Sequence, residues 1–210
     1  MTKTEALHDL AQKLAADSAL PLRSANLVFG EGDPDATVVF VGEAPGQKED
    51  ELGRPFVGRA GQLLDRLIVQ VGWRREAVYI TNIVKRRPPE NRDPLPEEIS
   101  AYQPYLTRQL AILAPLLVAP LGRFAMNFFL PEAKISRDHG QVFRIGGQFV
   151  VPLYHPAAAL RATQVLEDLT KDFLRLPKII EKCRAIAAGT ATPSAAPPAS
   201  PSPRSQRKLF

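Results

Sequence analysis

The sequence predicts a three-layer α/β fold, with a central four-stranded parallel sheet between helices. Two observations predict it. Four β-like runs, at residues 37–41, 77–81, 116–121 and 149–153, alternate with helical patterns, and strand–helix alternation favours a parallel sheet covered on both faces. The 210 residues suffice for one domain with a real core and are few for two.

Near the N-terminus, Leu7, Leu10 and Leu14 have the spacing of an amphipathic helix. The run at 37–41 leads into the glycine-bracketed loop of VVFVGEAPGQKED, residues 38–50. Ala60, Leu63, Leu64, Leu67, Ile68 and Val71 then mark one face of a helix that Gly72 stops. After the 77–81 run, PEEISAYQPYLTRQLAIL (96–113) reads as a second helix. Pro96 suits its first turn, Glu97 and Glu98 complement its dipole, and a kink is expected at Pro104. RFAMNFFL (123–130) is a shorter helix, and VFRIGGQFVV (142–151) is a hairpin centred on Gly146 and Gly147. A last helix covers 164–175, and an apolar-rich stretch continues to Ala187. The folded domain is expected to span 1–188. Residues 189–210 are rich in Pro, Ala and Ser and are expected to be disordered, although they end on Leu209 and Phe210.

Of the net charge of +5, the 189–210 segment supplies +3 through Arg204, Arg207 and Lys208, which leaves +2 for the body. Nucleic acid is an allowed partner, but charge alone does not identify it. The chain lacks the run of about 18 apolar residues expected of a transmembrane helix. The charged N-terminus lacks the apolar core of a secretory signal. Cys183 is the single cysteine, which excludes an intrachain disulfide and a cysteine-ligated cluster. A cytoplasmic setting is expected.

Parallel sheets bind ligands at the carboxyl ends of their strands. Residues 42–51, Asn82 and the Tyr154-His155-Pro156 turn converge there. The first loop has the glycines of a phosphate cradle, yet it carries Glu43, Glu49, Asp50 and Glu51, which oppose an anion. Gly42 and Gly46 let the backbone approach a ligand closely. Glu43 could orient a water, act as a base or stabilise a developing cation. Equally, Glu43 and Glu49 could cap a helix or form surface ion pairs. Phe56, in GRPFVGRAG (53–61), is either a ring on which something stacks or a plug of the core. An asparagine after a strand, such as Asn82, closes a turn or pairs its amide with the edge of a base. His155, before Pro156, is structural or catalytic, and His8 and His139 receive no role. An acid, an aromatic face, an amide and an imidazole together suit a planar, uncharged heterocycle better than a phosphate.

In order and at comparable spacing, GEAPGQKED (42–50), GRPFVGRAGQLLD (53–65), VYITNIVKRRPPENR (78–92) and YHPAAALR (154–161) closely resemble the motifs of family 4 uracil-DNA glycosylases. The resemblance covers roughly residues 27–168. It implies a uracil-DNA glycosylase-like fold and hydrolysis of the N-glycosidic bond of deoxyuridine in DNA, leaving an abasic site. Glu43 would position water or stabilise the cationic sugar, in a loop whose Gly42 closes over the substrate. Phe56 would stack on the flipped uracil. Asn82 would read its N3 and O4 edge and reject cytosine. His155 would donate to O2 as negative charge develops, and Glu49 would exclude the thymine methyl at C5. A base inside a duplex is unreachable and must be extruded, at least cost from mispairs or single strands.

Three departures alter what the resemblance implies. The family usually binds a four-iron–four-sulfur cluster through four cysteines, and those positions here are Ala15, Ser18, Arg86 and Tyr102. Iron–sulfur clusters need thiolates, so no cluster and no other cofactor is expected. Arg86 and Tyr102 are expected to fill the space, with Arg86 paired to an acid such as Asp17. The family often has a leucine four residues after the motif histidine, where this chain has Ala159. Leu160 or Arg161 is therefore the candidate wedge that fills the gap left by the flipped base. Lys85, Arg86, Arg87 and Arg92 cluster in sequence, and DNA phosphate contact is expected of this group, with Arg87 and Arg92 foremost. Residues 206–210, QRKLF, resemble the Q-x-x-L-F type of motif by which bacterial repair and replication proteins bind the sliding clamp. The expected partners are thus uracil-containing DNA, its abasic product and the clamp, with a monomeric protein and no membrane. The alternatives are a low-turnover protein that binds uracil-containing or abasic DNA, and a generic nucleotide-binding α/β protein, against which the acidity of the loop argues.

Overall fold

The parallel centre of the sheet contains β2 (Val38–Gly42), β3 (Tyr79–Asn82), β4 (Leu117–Pro120) and β6 (Gln148–Val150), in the spatial order β3-β2-β4-β6. The structure is a computed structural model and describes residues 1–189 and 206–208. The four central strands are the four runs predicted from sequence. Antiparallel strands flank them. The two-residue β1 (Glu31–Gly32) pairs with β3, and β5 (Phe143–Ile145) forms the predicted hairpin with β6 through Gly146 and Gly147, both at positive φ. Gln206–Lys208 of the tail form a short strand, β7, along the outer edge of β5. The rest of the segment read as disordered, with Leu209 and Phe210 of the clamp-like motif, lies outside the described residues.

Helices cover both faces, and the two-residue period of the strands decides what each meets. Val38, Phe40, Ile80, Leu117, Ala119 and Leu153 face α3 (Arg59–Gln70) and α8 (Thr163–Ala187). Val39, Val41, Tyr79, Ile83 and Val118 face α1 (Lys3–Ala16) and α4 (Pro96–Leu113). Every residue of β2, β3 and β4 is buried, as expected of a parallel strand covered on both sides. The helix that Gly72 was predicted to stop ends at Gln70, with Gly72 at φ +80°. The last helix and the apolar stretch after it are one helix through Pro177, and α4 likewise runs as one helix through Pro104.

The basic cluster of the KRRPPENR segment divides. Lys85 and Arg86 are buried, which removes both from the expected phosphate contacts. Lys85 sits between the sheet and α4. Its amine donates to Thr81 Oγ1 and Gln109 Oε1, each at 2.5 Å, and to the Phe29 carbonyl at 3.3 Å. A strand-end lysine beside three arginines reads as surface charge in sequence. Only the tertiary fold shows that α4 closes over it.

Burial pulls the Lys85 pKa well below the ordinary lysine range. Between that depressed value and the unfolded value of about 10.4, the unfolded chain holds a proton that the folded chain lacks. Stability is therefore expected to rise with pH across this window, by up to about 1.4 kcal/mol per pH unit. Lys85→Met removes this contribution, and urea denaturation from neutral pH to pH ~10 should give a flatter profile for the variant. Parallel profiles would contradict the assignment.

Candidate active site

The site grows from one register. Gly42, the last residue of β2, pairs with Asn82, the last of β3. Phe40 and Ile80 point toward α3, so the period of two sends Asn82 to the same side. Leu153 faces that side as well, and two residues on stands His155. A Cβ at Gly42 would lie 2.3 Å from Asn82 Oδ1 and 2.6 Å from the Phe56 ring. Only a glycine lets amide and ring close over the strand end. The Phe56 ring in turn lies 5.6 Å from the His155 ring, tilted by 32°. Gly42, Phe56, Asn82 and His155 are thus brought together, as the sequence predicted.

Asn82 is buried, and its Oδ1 has no hydrogen-bond partner among the described residues. Leaving such an acceptor unpaired costs about 1–3 kcal/mol. A planar ligand with an N–H at its edge would remove that cost. His155 caps the short helix α7 (Pro156–Ala159), with its Nδ1 accepting from the Ala157 amide at 3.1 Å. Burial lowers the ring's pKa to about 4, against the opposing pull of Glu49. The ring is therefore neutral near pH 7, and with Nδ1 engaged its proton sits on Nε2. A neutral imidazole presents an N–H donor beside Phe56.

Phe56 holds a backbone φ of +50°, a conformation that costs a non-glycine residue about 1–3 kcal/mol. Glu49 fixes the far side of this turn, with Oε1 accepting from the amides of Val57 at 2.9 Å and Gly58 at 2.8 Å. These amides lead into α3, so the carboxylate also complements that helix dipole. Glu49 belongs to α2 (Gln47–Leu52), an element absent from the sequence reading. Phe56 is 5% exposed and packs into the core on the α3 side, as the core-plug reading expects.

Glu43 follows β2; its carbonyl accepts from the Val84 amide at 3.0 Å, while its side chain makes no ion pair or hydrogen bond among the described residues. Burial first, and then the charge of Asp93, push its pKa up to about 7, with Arg123 opposing. Asp93 and Arg123 are paired at 2.7 Å. The sequence reading missed both, because neither carries a local signal for its place beside Glu43. Gly122, at φ +85°, backs the histidine: a Cβ there would lie 2.9 Å from His155 Cβ. In the basic segment, Arg87 donates to Asn91 Oδ1 at 2.7 Å, and Arg92 forms a two-pronged pair with Glu98 at 2.6 and 2.8 Å. Ala159 is buried, while Leu160 and Arg161 are exposed beyond it.

The four positions aligned with cluster ligands do not fit a cluster. Tyr102 is fully buried and donates to the Pro21 carbonyl at 2.7 Å. Arg86 donates to the Ala25 carbonyl, not to Asp17 as expected. The Asp17 carboxylate takes the Tyr105 hydroxyl at 2.6 Å and the Ala19 amide at 3.0 Å. A guanidinium repels iron, Ala15 offers no donor atom, and the one cysteine, Cys183, is buried on the opposite face with α8. Among the described residues no group of three or more His, Cys, Asp or Glu is placed to hold a metal ion.

Residues 29–176 match the model of the uracil DNA glycosylase superfamily. The chain is 42% identical over 189 residues to a type-4 uracil-DNA glycosylase of Archaeoglobus fulgidus, covering 85% of this chain and 95% of the relative. It is 42% identical over 181 residues to a type-4 uracil-DNA glycosylase of Thermotoga maritima, covering 81% of this chain and 94% of the relative. A type-5 uracil-DNA glycosylase of Thermus thermophilus is 33% identical over 152 residues, covering 62% and 69%.

Glu43 links the site to stability. Between its ordinary value of 4.5 and about 7 the folded chain keeps a proton that the unfolded chain has released, so stability falls as pH rises through this window. Glu43→Gln removes that loss. The variant is expected to gain about 1–2 kcal/mol over wild type on going from acid to alkaline pH, after discounting for solvent screening. Denaturant titrations on either side of the window measure it, and an equal difference at both ends would refute it.

Proposed function

The chain belongs to the uracil DNA glycosylase superfamily, and from that premise we propose that it is a monofunctional glycosylase. It hydrolyses the N-glycosidic bond of deoxyuridine in DNA and initiates base excision repair. The observation that carries this reading is the orphaned Oδ1 of Asn82 beside Phe56 and Gly42. Uracil N3–H supplies the donor this oxygen lacks. Cytosine has an acceptor at N3 and would leave Oδ1 facing a lone pair.

The reaction breaks the C1′–N1 bond, and the electron pair leaves with the base. The sugar passes through an oxocarbenium-like state, as in glycoside hydrolysis. Negative charge on the departing uracil collects on O2, where the His155 Nε2–H donates without first changing protonation. Preorganised donors of this kind are typically worth about 2.7–4 kcal/mol. Glu43, as carboxylate, faces the developing cation and takes the proton of the water that adds to C1′. The Phe56 ring stacks on the base. Glu49, already fixed by two amides, stands on the C5 side and excludes a methyl.

Around this centre, Arg87 and Arg92 contact DNA phosphate, and Leu160 or Arg161 fills the gap in the stack. The exposure of Leu160 and Arg161 beyond buried Ala159 supports this placement. We read the enzyme as cluster-free, which the occupants of the four ligand positions support. The abasic product and a sliding clamp, bound through residues 206–210, complete its proposed partners, with the protein acting as a monomer.

Purified protein free of iron and acid-labile sulfide by elemental analysis is expected to cleave a labelled deoxyuridine oligonucleotide after alkali. His155→Ala should slow single-turnover cleavage by about a hundredfold or more. Wild type that binds the oligonucleotide without cleaving it would favour the binding-protein reading. Deleting residues 206–210 should abolish retention on immobilised clamp and leave oligonucleotide cleavage unchanged, and retained clamp binding would remove that proposal.

A further inference from the structure

One guanidinium holds the turn that carries the aromatic ring. Arg75 lies in the short 3-10 turn Arg75–Ala77 that leads into β3. Its Nη2 donates to the Pro55 carbonyl at 2.6 Å, and its Nη1 to the Phe56 carbonyl at 3.2 Å. The same fork reaches Glu31 Oε1 on β1 through Nη2 at 2.7 Å and Nε at 3.0 Å, and Asp65 Oδ1 on α3 through Nη1 at 2.5 Å. Arg75 therefore ties the approach to β3, the edge strand and α3 to two consecutive carbonyls of one loop.

That loop needs such a tie. Phe56 sits at φ +50°, which an aromatic residue keeps only where its surroundings overdetermine it. Glu49 fixes the amides that follow, of Val57 and Gly58. On the carbonyl side, Gly61 gives α3 room to pass: a Cβ there would lie 1.8 Å from the Phe56 oxygen. Arg75 supplies donors to the carbonyls themselves. Arg54 also pairs with Glu31, at 2.7 and 3.0 Å, yet it is more exposed than Arg75 and among the described residues its side chain bonds to Glu31 alone. The two arginines share a carboxylate and differ in their hold on the loop.

We propose that Arg75 is a positioning residue for base recognition: its planar fork sets the Pro55–Phe56 backbone and so the plane of the ring on which the flipped base stacks. This rests on the glycosylase reading above. A lysine keeps the charge between Glu31 and Asp65 but has no planar fork to span two carbonyls and two carboxylates.

The test compares wild type, Arg75→Lys, Phe56→Ala and the double variant, with Arg54→Ala as a control. Thermal unfolding and hydrogen exchange are read on free protein, and single-turnover cleavage on a deoxyuridine oligonucleotide at saturating enzyme. Arg75→Lys should keep a melting transition near wild type and accelerate exchange at the Val57 and Gly58 amides. It should slow cleavage about tenfold in the Phe56 background and less than twofold with Phe56→Ala, since residues acting through one group are not additive. Arg54→Ala should leave cleavage within twofold of wild type. Equal losses in both backgrounds, or unchanged exchange in the loop, overturn the proposal. A wild type that cleaves no deoxyuridine overturns instead the glycosylase reading on which it rests.

Discussion

The pairing of β2 with β3 is the constraint on which the site depends. The register Val39 with Tyr79, Phe40 with Ile80 and Gly42 with Asn82 is specified by burial, because both strands are covered on both faces. A slip of one residue would send Phe40 to the α1–α4 side and Val39 to the α3–α8 side. It would also turn Asn82 away from Phe56. Amide placement is thus a by-product of packing, with no separate device needed to aim it. The same parity along 151, 153 and 155 delivers the histidine, whose ring needs only the Gly122 turn to give it room.

Stability and chemistry pull apart at this end of the sheet. Glu43 is held where its charged form is disfavoured, Asn82 keeps an unpaired acceptor, and Phe56 occupies a left-handed backbone conformation. Each costs of the order of a kcal/mol or more, against a total of about 5–15 kcal/mol for a typical domain. The offsets lie nearby and are polar: Glu49 on the amides of the loop and Arg75 on its carbonyls, while Arg123 only partly opposes the rise at Glu43. Among the described residues, the amino end of the central strands has Ala114 at positive φ but no buried polar side chain left unpaired.

What was legible in the sequence follows local rules. Apolar runs and a 3.6-residue period located the four central strands, α3 and α4, and paired glycines located the hairpin. Strand-end position brought Gly42, Asn82 and His155 to one edge. Features set by distant partners were hidden. β1 has two residues and exists through its pairing with β3. Lys85 is buried because α4 crosses it, and Arg86 turns to the Ala25 carbonyl because Tyr105 already holds Asp17. Arg75 stands 19 residues from Phe56 in the chain, so no window of sequence joins them.

The acidity of the first loop resolves along the same line. Its four carboxylates are not equivalent. Glu49 serves the amides at the start of α3, Asp50 accepts from the Asn26 amide at 2.7 Å, and Glu51 pairs with Lys48 at 2.8 Å. Each of those three has a partner of its own. The Glu43 side chain has no hydrogen-bond or ion-pair partner among the described residues and carries the raised pKa. A phosphate site needs amides free to receive an anion, but here Glu49 has already taken the Val57 and Gly58 amides. Glu49 thus denies this glycine-rich strand end the free amides of an anion cradle. On the glycosylase reading proposed above, Glu43 is the carboxylate of this loop left to face the positive charge that departure of an anionic base leaves on a sugar.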